Sequence, residues 1–437
     1  MYYSLSISAI TPLGLSSMPD QPKRILVLYR LHYPLHKLRL SSLQQLQALE
    51  KSSSSYEIIY FNAVFGVPSW FKNLDFDVII LSTLFLGMRW FPRYFQQWKQ
   101  TMKWIAEFDC LKIAIPQDEY DHAHTLDDWL YDWNVQIIFS NFDDTYRETL
   151  YPKMHQKAEF HHCYTGYINQ DTVDENSLKP ISQRPLDIVY RARHLPYWFG
   201  GYGQFKHTIA EKVTDYAPEH GLNIDISTNT DDTITGSEWI QFMASSRATI
   251  GCESGVSALD PRGEIKSSIM QWQQQEPNLS FENASKRLPV GWDDYEFLAI
   301  GPRHFEAVMT KTCQILIRGD YSGVLEADKH YIPVEHDFSN LDSVLQKLKD
   351  DTYIQQMVDT AYNDIACNDA YTYEAFAEQL DTVIQHHTQD NTYQEKPRLG
   401  WQISIPSRVA DTTIHIIDFG IRTFGVRKVI SKLMSGA

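Results

Sequence analysis

The chain has 437 residues, 22% of them charged, 43% hydrophobic and 13% aromatic, and 39 basic against 55 acidic side chains leave a formal net charge of -16. That composition excludes a disordered or collagen-like polymer, and at about 100–200 residues per domain the length predicts two or three domains with substantial cores. The acidic balance argues against a nucleic-acid partner, because duplex affinity comes from clustered Lys and Arg and no such cluster stands ahead of residue 400.

The first 22 residues mix Ser, Pro and Leu without a basic start and an apolar core. They read as a flexible N-terminus and not as a signal peptide. From Lys23 short apolar runs alternate with helical patterns. The runs are Arg24–Tyr29, Glu57–Phe61, Phe76–Leu81, Lys112–Ile115 and Val135–Phe139, with helices such as Leu43–Leu49 and Phe91–Phe108 between them. Buried strands alternating with helices predict a parallel sheet covered on both faces. Residues 23–175 are therefore expected to form an N-terminal Rossmann-like domain.

The polar, unperiodic stretch Asn169–Arg184 marks the boundary. A second series follows, with strands at Leu186–Tyr190, Leu222–Ile226, Ala248–Ile250 and Gln314–Ile317. Helices are expected near Phe205–Tyr216, Glu238–Ala244, Phe305–Met309 and Leu341–Leu348, and residues 351–387 read as helices that close this second domain. The fold class is α/β, with two tandem doubly wound Rossmann-like domains, 23–175 and 185–385, on either side of a crevice. Ligands of such sheets sit at the carboxyl ends of the strands.

Residues 386–437 read as a linker and an amphipathic tail. Between 408 and 434, Arg408, Arg422, Arg427, Lys428 and Lys432 against Asp411 and Asp418 give five minus two, +3, with Ile414, Ile417, Ile421 and Phe424 on one helical face. A basic amphipathic helix suits a peripheral membrane contact, and a helix docked on the body is the competing possibility. No run of about 18 apolar residues predicts a spanning helix. Cys110, Cys163, Cys252, Cys313 and Cys367 lie far apart, with no Cys-x-x-Cys pair. Neither a disulfide framework nor a zinc ribbon is indicated, so a cytoplasmic protein is expected.

Three stretches carry candidate chemistry. Tyr190–Lys206 follows the first strand of the second domain and combines Arg191 and Arg193 with three glycines and Lys206 at a helix start, a set that suits a pyrophosphate. Tyr197, Trp198 and Tyr202 are the aromatics nearest this loop. Ala248–Ser257 is a strand running into small residues, where Ser254 and Gly255 offer a hydroxyl and free amides to an anion. Its Glu253-Ser254-Gly255 lacks the flanking glycines of a nucleophile elbow. Ala299–Ala307 holds Arg303, His304 and Glu306 on a helix opened by Pro302, and Glu306 can accept hydrogen bonds from sugar hydroxyls.

These features resemble the nucleotide-sugar glycosyltransferases of the GT-B fold. His330–Asn340 looks like the closing motif of the bacterial families related to spore-maturation glycosyltransferases, which serve surface-polysaccharide assembly. The resemblance implies a nucleotide-sugar donor whose diphosphate is held by Arg193 and Lys206, with Glu306 on the ribose or donor sugar and Arg303 and His304 beside it, and with no metal and no cofactor; Arg191, Ser254 and Gly255 join them as donor-binding candidates from the residues alone. It departs from the retaining pattern of two glutamates: Leu298 and Gln314 stand eight positions either side of Glu306. The implied acceptor is a glycan or lipid-linked glycan on the inner face of the membrane. In the first domain, the loop Ile115–His124 supplies candidates for the base on the acceptor hydroxyl, Asp118 first and Glu119 second. His122 and His124 with Asp118 or Asp121 support a rival reading, a divalent metal, with His161-His162-Cys163 weaker still. A sugar-nucleotide epimerase or hydrolase of the same fold would also fit these motifs, as would a silent scaffold of polysaccharide assembly.

Overall fold

The computed structural model describes residues 22–388. The N-terminal 1–21 and the tail read as amphipathic lie outside them. The first sheet has six strands, β1 (Lys23–Tyr29), β2 (Tyr56–Asn62), β3 (Val78–Leu81), β4 (Leu111–Ala114), β5 (Ile137–Ser140) and β6 (Glu159–His162), in the order β2-β1-β3-β4-β5-β6. All neighbours are parallel, with Ile25 beside Ile58 on one side and Val78 on the other. Alternate residues feed two cores: Leu26, Leu28, Ile79 and Leu81 face one side, Ile25, Val27, Val78 and Ile80 the other. The period-2 geometry of a strand buried on both faces explains why these segments read as unbroken apolar runs.

The second sheet uses β7 (Leu186–Arg191), β8 (Ile224–Ser227), β9 (Ser246–Gly251), β12 (Cys313–Ile317) and β13 (Ile332–Val334), in the order β13-β12-β9-β7-β8. Between β9 and β12 the short strands β10 (Ser254–Val256) and β11 (Phe297–Ala299) pair antiparallel. Both large sheets thus share one winding, with the order reversing between their first and third strands. The molecule consists of two tandem Rossmann-like domains facing each other across a crevice.

Two edge strands escape the periodicity reading. β6 is polar because one side of it meets solvent, and β13 carries Pro333, which an edge tolerates because its missing N–H need not pair. The boundary stretch becomes three short 3-10 turns, two of them capped by Asn169 and Asp174, and it ends on Arg184, whose buried guanidinium donates to the carbonyls of Ser246 at 2.8 Å and Thr310 at 2.9 Å.

One expectation fails. The final helix Tyr373–His387 does not close the second domain. It crosses back, and Tyr373, Phe376, Leu380, Val383 and Ile384 complete a core of the first sheet, with Phe376 stacked on Tyr167 at 5.0 Å. Periodicity shows that a helix has an apolar face; it does not say which sheet receives it. In the other direction, Val256, Leu259, Phe297 and Ala299 of the second domain enter the first-domain core. Among the described residues no helix is long and apolar enough to cross a membrane.

Candidate functional site

The switch between β7 and β9 opens into a cavity of about 300 Å³ on the crevice. Tyr190 and Arg191 at the end of β7, Cys252 beyond β9 and the start of the helix Pro302–Met309 form its wall in the second domain. Arg39, Leu40 and Ser41 close it from the first domain. This is where a doubly wound sheet holds its ligand, because the two loops leaving the switch diverge and helix N-termini point inward.

Of the eight residues expected to hold a donor, seven line this cavity: Arg191, Arg193, Lys206, Ser254, Arg303, His304 and Glu306. They differ in what they have left to give. Arg193 is exposed to the cavity, with no hydrogen bond or ion pair among the described residues. Lys206 meets only the Gly255 carbonyl at 3.3 Å, and burial holds its ammonium below the usual range. Arg303 lies 5.0 Å from the Tyr190 ring and 5.5 Å from the Trp239 ring and donates to the Arg191 carbonyl. Among the described residues, none of the three is in ion-pair contact with a carboxylate. Arg39 joins them, and partial burial with the like charges of Arg193 and Arg303 pushes its guanidinium down from its ordinary value. Cations crowded in this way cost free energy until an anion arrives.

Two carboxylates line the cavity, Asp232, whose Oδ2 accepts from Ser227 Oγ at 2.6 Å, and Glu306. Burial raises the pKa of Glu306, while Trp239 Nε1, donating at 2.7 Å, and the Arg303 charge oppose that rise. His304 is neutral, because burial and then Arg303 press its pKa down to about 3, and its Nδ1 accepts from the Gly301 amide at 2.9 Å.

Several expectations need correction. Arg191 is spent on structure: it pairs with Asp225 at 2.8 Å, donates to the Asp225 and Asp232 carbonyls and covers Phe242 at 4.5 Å. The glycines ahead of Lys206 do not present free amides to a phosphate, because Asp293 takes the Gly201 N–H at 2.8 and 3.0 Å and Ser257 Oγ takes that of Tyr202 at 2.9 Å. Gly255, at φ 117, faces Phe297, whose carbonyl oxygen a Cβ would overlap, so its glycine serves the β10–β11 pair and not a ligand. Tyr197 packs against Phe281 and Tyr202 against Phe205, and neither lines the cavity, nor does Trp198. The His330–Asn340 segment is architectural: Asn340 takes the Glu335 amide at 2.9 Å and gives to the Pro333 carbonyl, and His330 meets Asp364 at 3.1 Å.

In the first domain, Asp118 and Glu119 meet different fates. Glu119 is fully buried and accepts from Ser140 Oγ at 2.8 Å, the Asn141 amide at 2.7 Å and the Tyr151 hydroxyl. Burial still pushes its pKa up to about 7. It is a strut inside the domain and cannot reach an acceptor. Asp118 is half-buried at φ 51 and acts electrostatically on both Arg39 and Lys206, although it does not itself line the cavity.

The histidines beside it are not gathered on one point. His122 pairs with Asp121 at 2.6 Å and abuts Gly263 of the second domain, and His124 meets the Thr149 carbonyl at 3.2 Å. Among the described residues no group of three or more His, Cys, Asp and Glu side chains is placed to hold a metal ion. The sequence reading missed Arg39 and the loop Asn229–Gly236, which line the cavity from either side. Their available signal was position alone: each follows a strand adjacent to its sheet's switch.

No protein-family model matches the sequence, and no curated protein does. Solved structures similar to this chain include T4 phage β-glucosyltransferase, 11% identical, covering 83% of this chain and 99% of that one, with a TM-score of 0.47. Anabaena HepE in complex with UDP and glucose is 9% identical, covering 83% and 100%, with a TM-score of 0.43. TarM from S. aureus, in complex with UDP among other ligands, is 11% identical, covering 70% and 55%, with a TM-score of 0.39. The class that this chain's own topology defines is α/β, with two tandem doubly wound Rossmann-like domains.

Proposed function

We propose that the protein is a metal-independent glycosyltransferase that moves a sugar from a nucleotide-sugar donor to a hydroxyl of a glycan or lipid-linked glycan, in bacterial surface-polysaccharide assembly. The observation that carries this reading is the convergence of Arg193, Lys206, Arg303 and the first-domain Arg39 on one cavity at the β7–β9 switch, none in ion-pair contact with a carboxylate among the described residues. A nucleoside diphosphate supplies the missing negative charge, and the four side chains supply the positive charge that its departure requires. Glu306, braced by Trp239, remains to accept hydrogen bonds from the ribose or the sugar. The acidic body, at -16, suits a glycan acceptor better than a polyanion.

In the transfer, the acceptor oxygen forms its bond to the anomeric carbon as the bond from that carbon to the phosphate oxygen breaks. The electron pair leaves with the diphosphate, held by Lys206 and the arginines, and the acceptor proton passes to Asp118. An epimerase or hydrolase of the same fold would need no acceptor, and a scaffold would turn nothing over.

A thermal-shift panel of nucleoside diphosphates, nucleotide sugars and divalent cations tests the site. A ligand at about 100 times its Kd stabilises by about 2.7 kcal/mol and raises the melting temperature by several degrees. A response to nucleotide sugars, lost in Arg193→Ala, is the expected result. A response to divalent cations alone would overturn the reading.

A further inference from the structure

Arg89 is 0% exposed and, among the described residues, has no carboxylate partner at salt-bridge distance. Its guanidinium is spent almost wholly on main-chain carbonyls of one loop: Nη2 donates to Gln117 and Asp118, both at 2.8 Å, and Nε to Asp121 at 3.0 Å. A fourth bond, from Nη1 to Leu86 at 3.1 Å, and the Trp90 ring at 4.6 Å fix the guanidinium itself. Burying an arginine without an adjacent counter-ion is costly, and its planar fork matches several acceptors in one geometry, so the loop it grips is held to one shape. That shape includes Asp118 in the left-handed region, at φ 51, which is uncommon outside glycine although aspartate is among the residues that visit it. Two residues on, the Tyr120 hydroxyl donates to Asp118 Oδ1 at 2.8 Å, while its ring stacks on Phe297 of the second domain at 5.9 Å.

We infer that Arg89 and Tyr120 are positioning residues that hold the Asp118 carboxylate in register with the donor cavity, Arg89 through the loop backbone and Tyr120 by tying the carboxylate to the opposite domain. The inference rests on the proposed transferase reading, with Asp118 as its base. The charged and titratable groups acting on Asp118 are Arg39 and Lys206 from the cavity, Arg89 from beneath and Tyr120 beside it. Of these, Tyr120 alone is bonded to the carboxylate.

The experiment uses the full-length protein with a turned-over nucleotide sugar and acceptor. Tyr120→Phe keeps the ring on Phe297 and removes one hydrogen bond. Its kcat is expected to fall about tenfold, as loss of a hydrogen bond to a charged group implies, with the donor KM within about twofold of wild type. A wild-type kcat, or a fall in kcat matched by a rise in donor KM, would overturn the role of Tyr120. Arg89→Lys keeps a charge and loses the fork. It is expected to lose kcat while still responding to nucleoside diphosphate in thermal shift, and loss of that response together with turnover would overturn the positioning role in favour of plain support of the fold. Asp118→Asn separates the two levels. If it turns over like wild type, the base assignment fails and this inference with it. If it loses turnover by about 100-fold or more while Tyr120→Phe is unaffected, only the positioning inference fails.

Discussion

The two sheets share a winding, yet the ends of their strands are furnished in opposite ways. Above the first sheet, charge is consumed internally. Arg89 is wrapped in carbonyls, and Glu119 takes three donors from Ser140, Asn141 and Tyr151. Above the second sheet, Arg193 and Lys206 keep their donors for the cavity. The same topology thus makes a rigid support on one side and a cavity lined by uncommitted cations on the other. Buried charge reports a site only when its hydrogen-bonding capacity is unspent.

The largest test of that contrast is Lys206→Met. If the cation acts on the departing diphosphate, kcat falls by about 100- to 1000-fold, as for removal of one preorganised stabilising donor. Steady-state kinetics with the nucleotide sugar read it, and a loss confined to about threefold would make Lys206 another strut.

Glu119 gives the next effect, on stability and not on turnover. Its carboxyl holds a proton up to about pH 7 in the folded protein, against 4.5 in a free glutamate. Between those values the folded state binds more protons than the unfolded one, so stability falls as pH rises through this window and levels off above it. The full shift corresponds to about 3 kcal/mol. Denaturant unfolding of wild type and Glu119→Gln across pH 4–8 should show that slope shrinking in the variant, whatever the change in absolute stability. Equal slopes would mean that the three donors keep Glu119 ionised throughout.

The smallest effect belongs to Arg191→Ala. Although this arginine lines the cavity, Asp225, the Asp232 carbonyl and Phe242 already occupy it. Donor KM is expected to change by less than about threefold, since no transition-state contact is removed. A 100-fold loss would show that cavity and scaffold share this side chain.

Much of the architecture was legible because a strand buried on both faces leaves an apolar run that nothing else in the chain imitates, as Val78–Leu81 and Cys313–Ile317 do. The cavity was legible in the second domain because Arg193 and Lys206 follow the run that forms β7, and Glu306 stands on the helix just ahead of the run that forms β12. Arg39 was not, for its value depends on the approach of another domain, and no local pattern encodes that approach. The glycines before Lys206 misled for a related reason: a helix N-terminus invites an anion, and here Asp293, 92 residues further along the chain, had already taken the place. Asp118 and Glu119, adjacent in sequence, could not be told apart until the fold turned one inward.

The helix Tyr373–His387 makes the first domain discontinuous, with consequences for its biosynthesis. A chain emerging from the ribosome builds β1 to β6 early, but the face lined by Ile25, Val27, Val78 and Ile80 lacks Phe376, Leu380 and Ile384 until the second domain has been made. Lys23 at the start of β1 then meets Gln385 and Thr388, so β1 is closed by a helix synthesised after the second domain. Any nascent chain stalled between the domains exposes an apolar sheet face, which is where a chaperone would be needed.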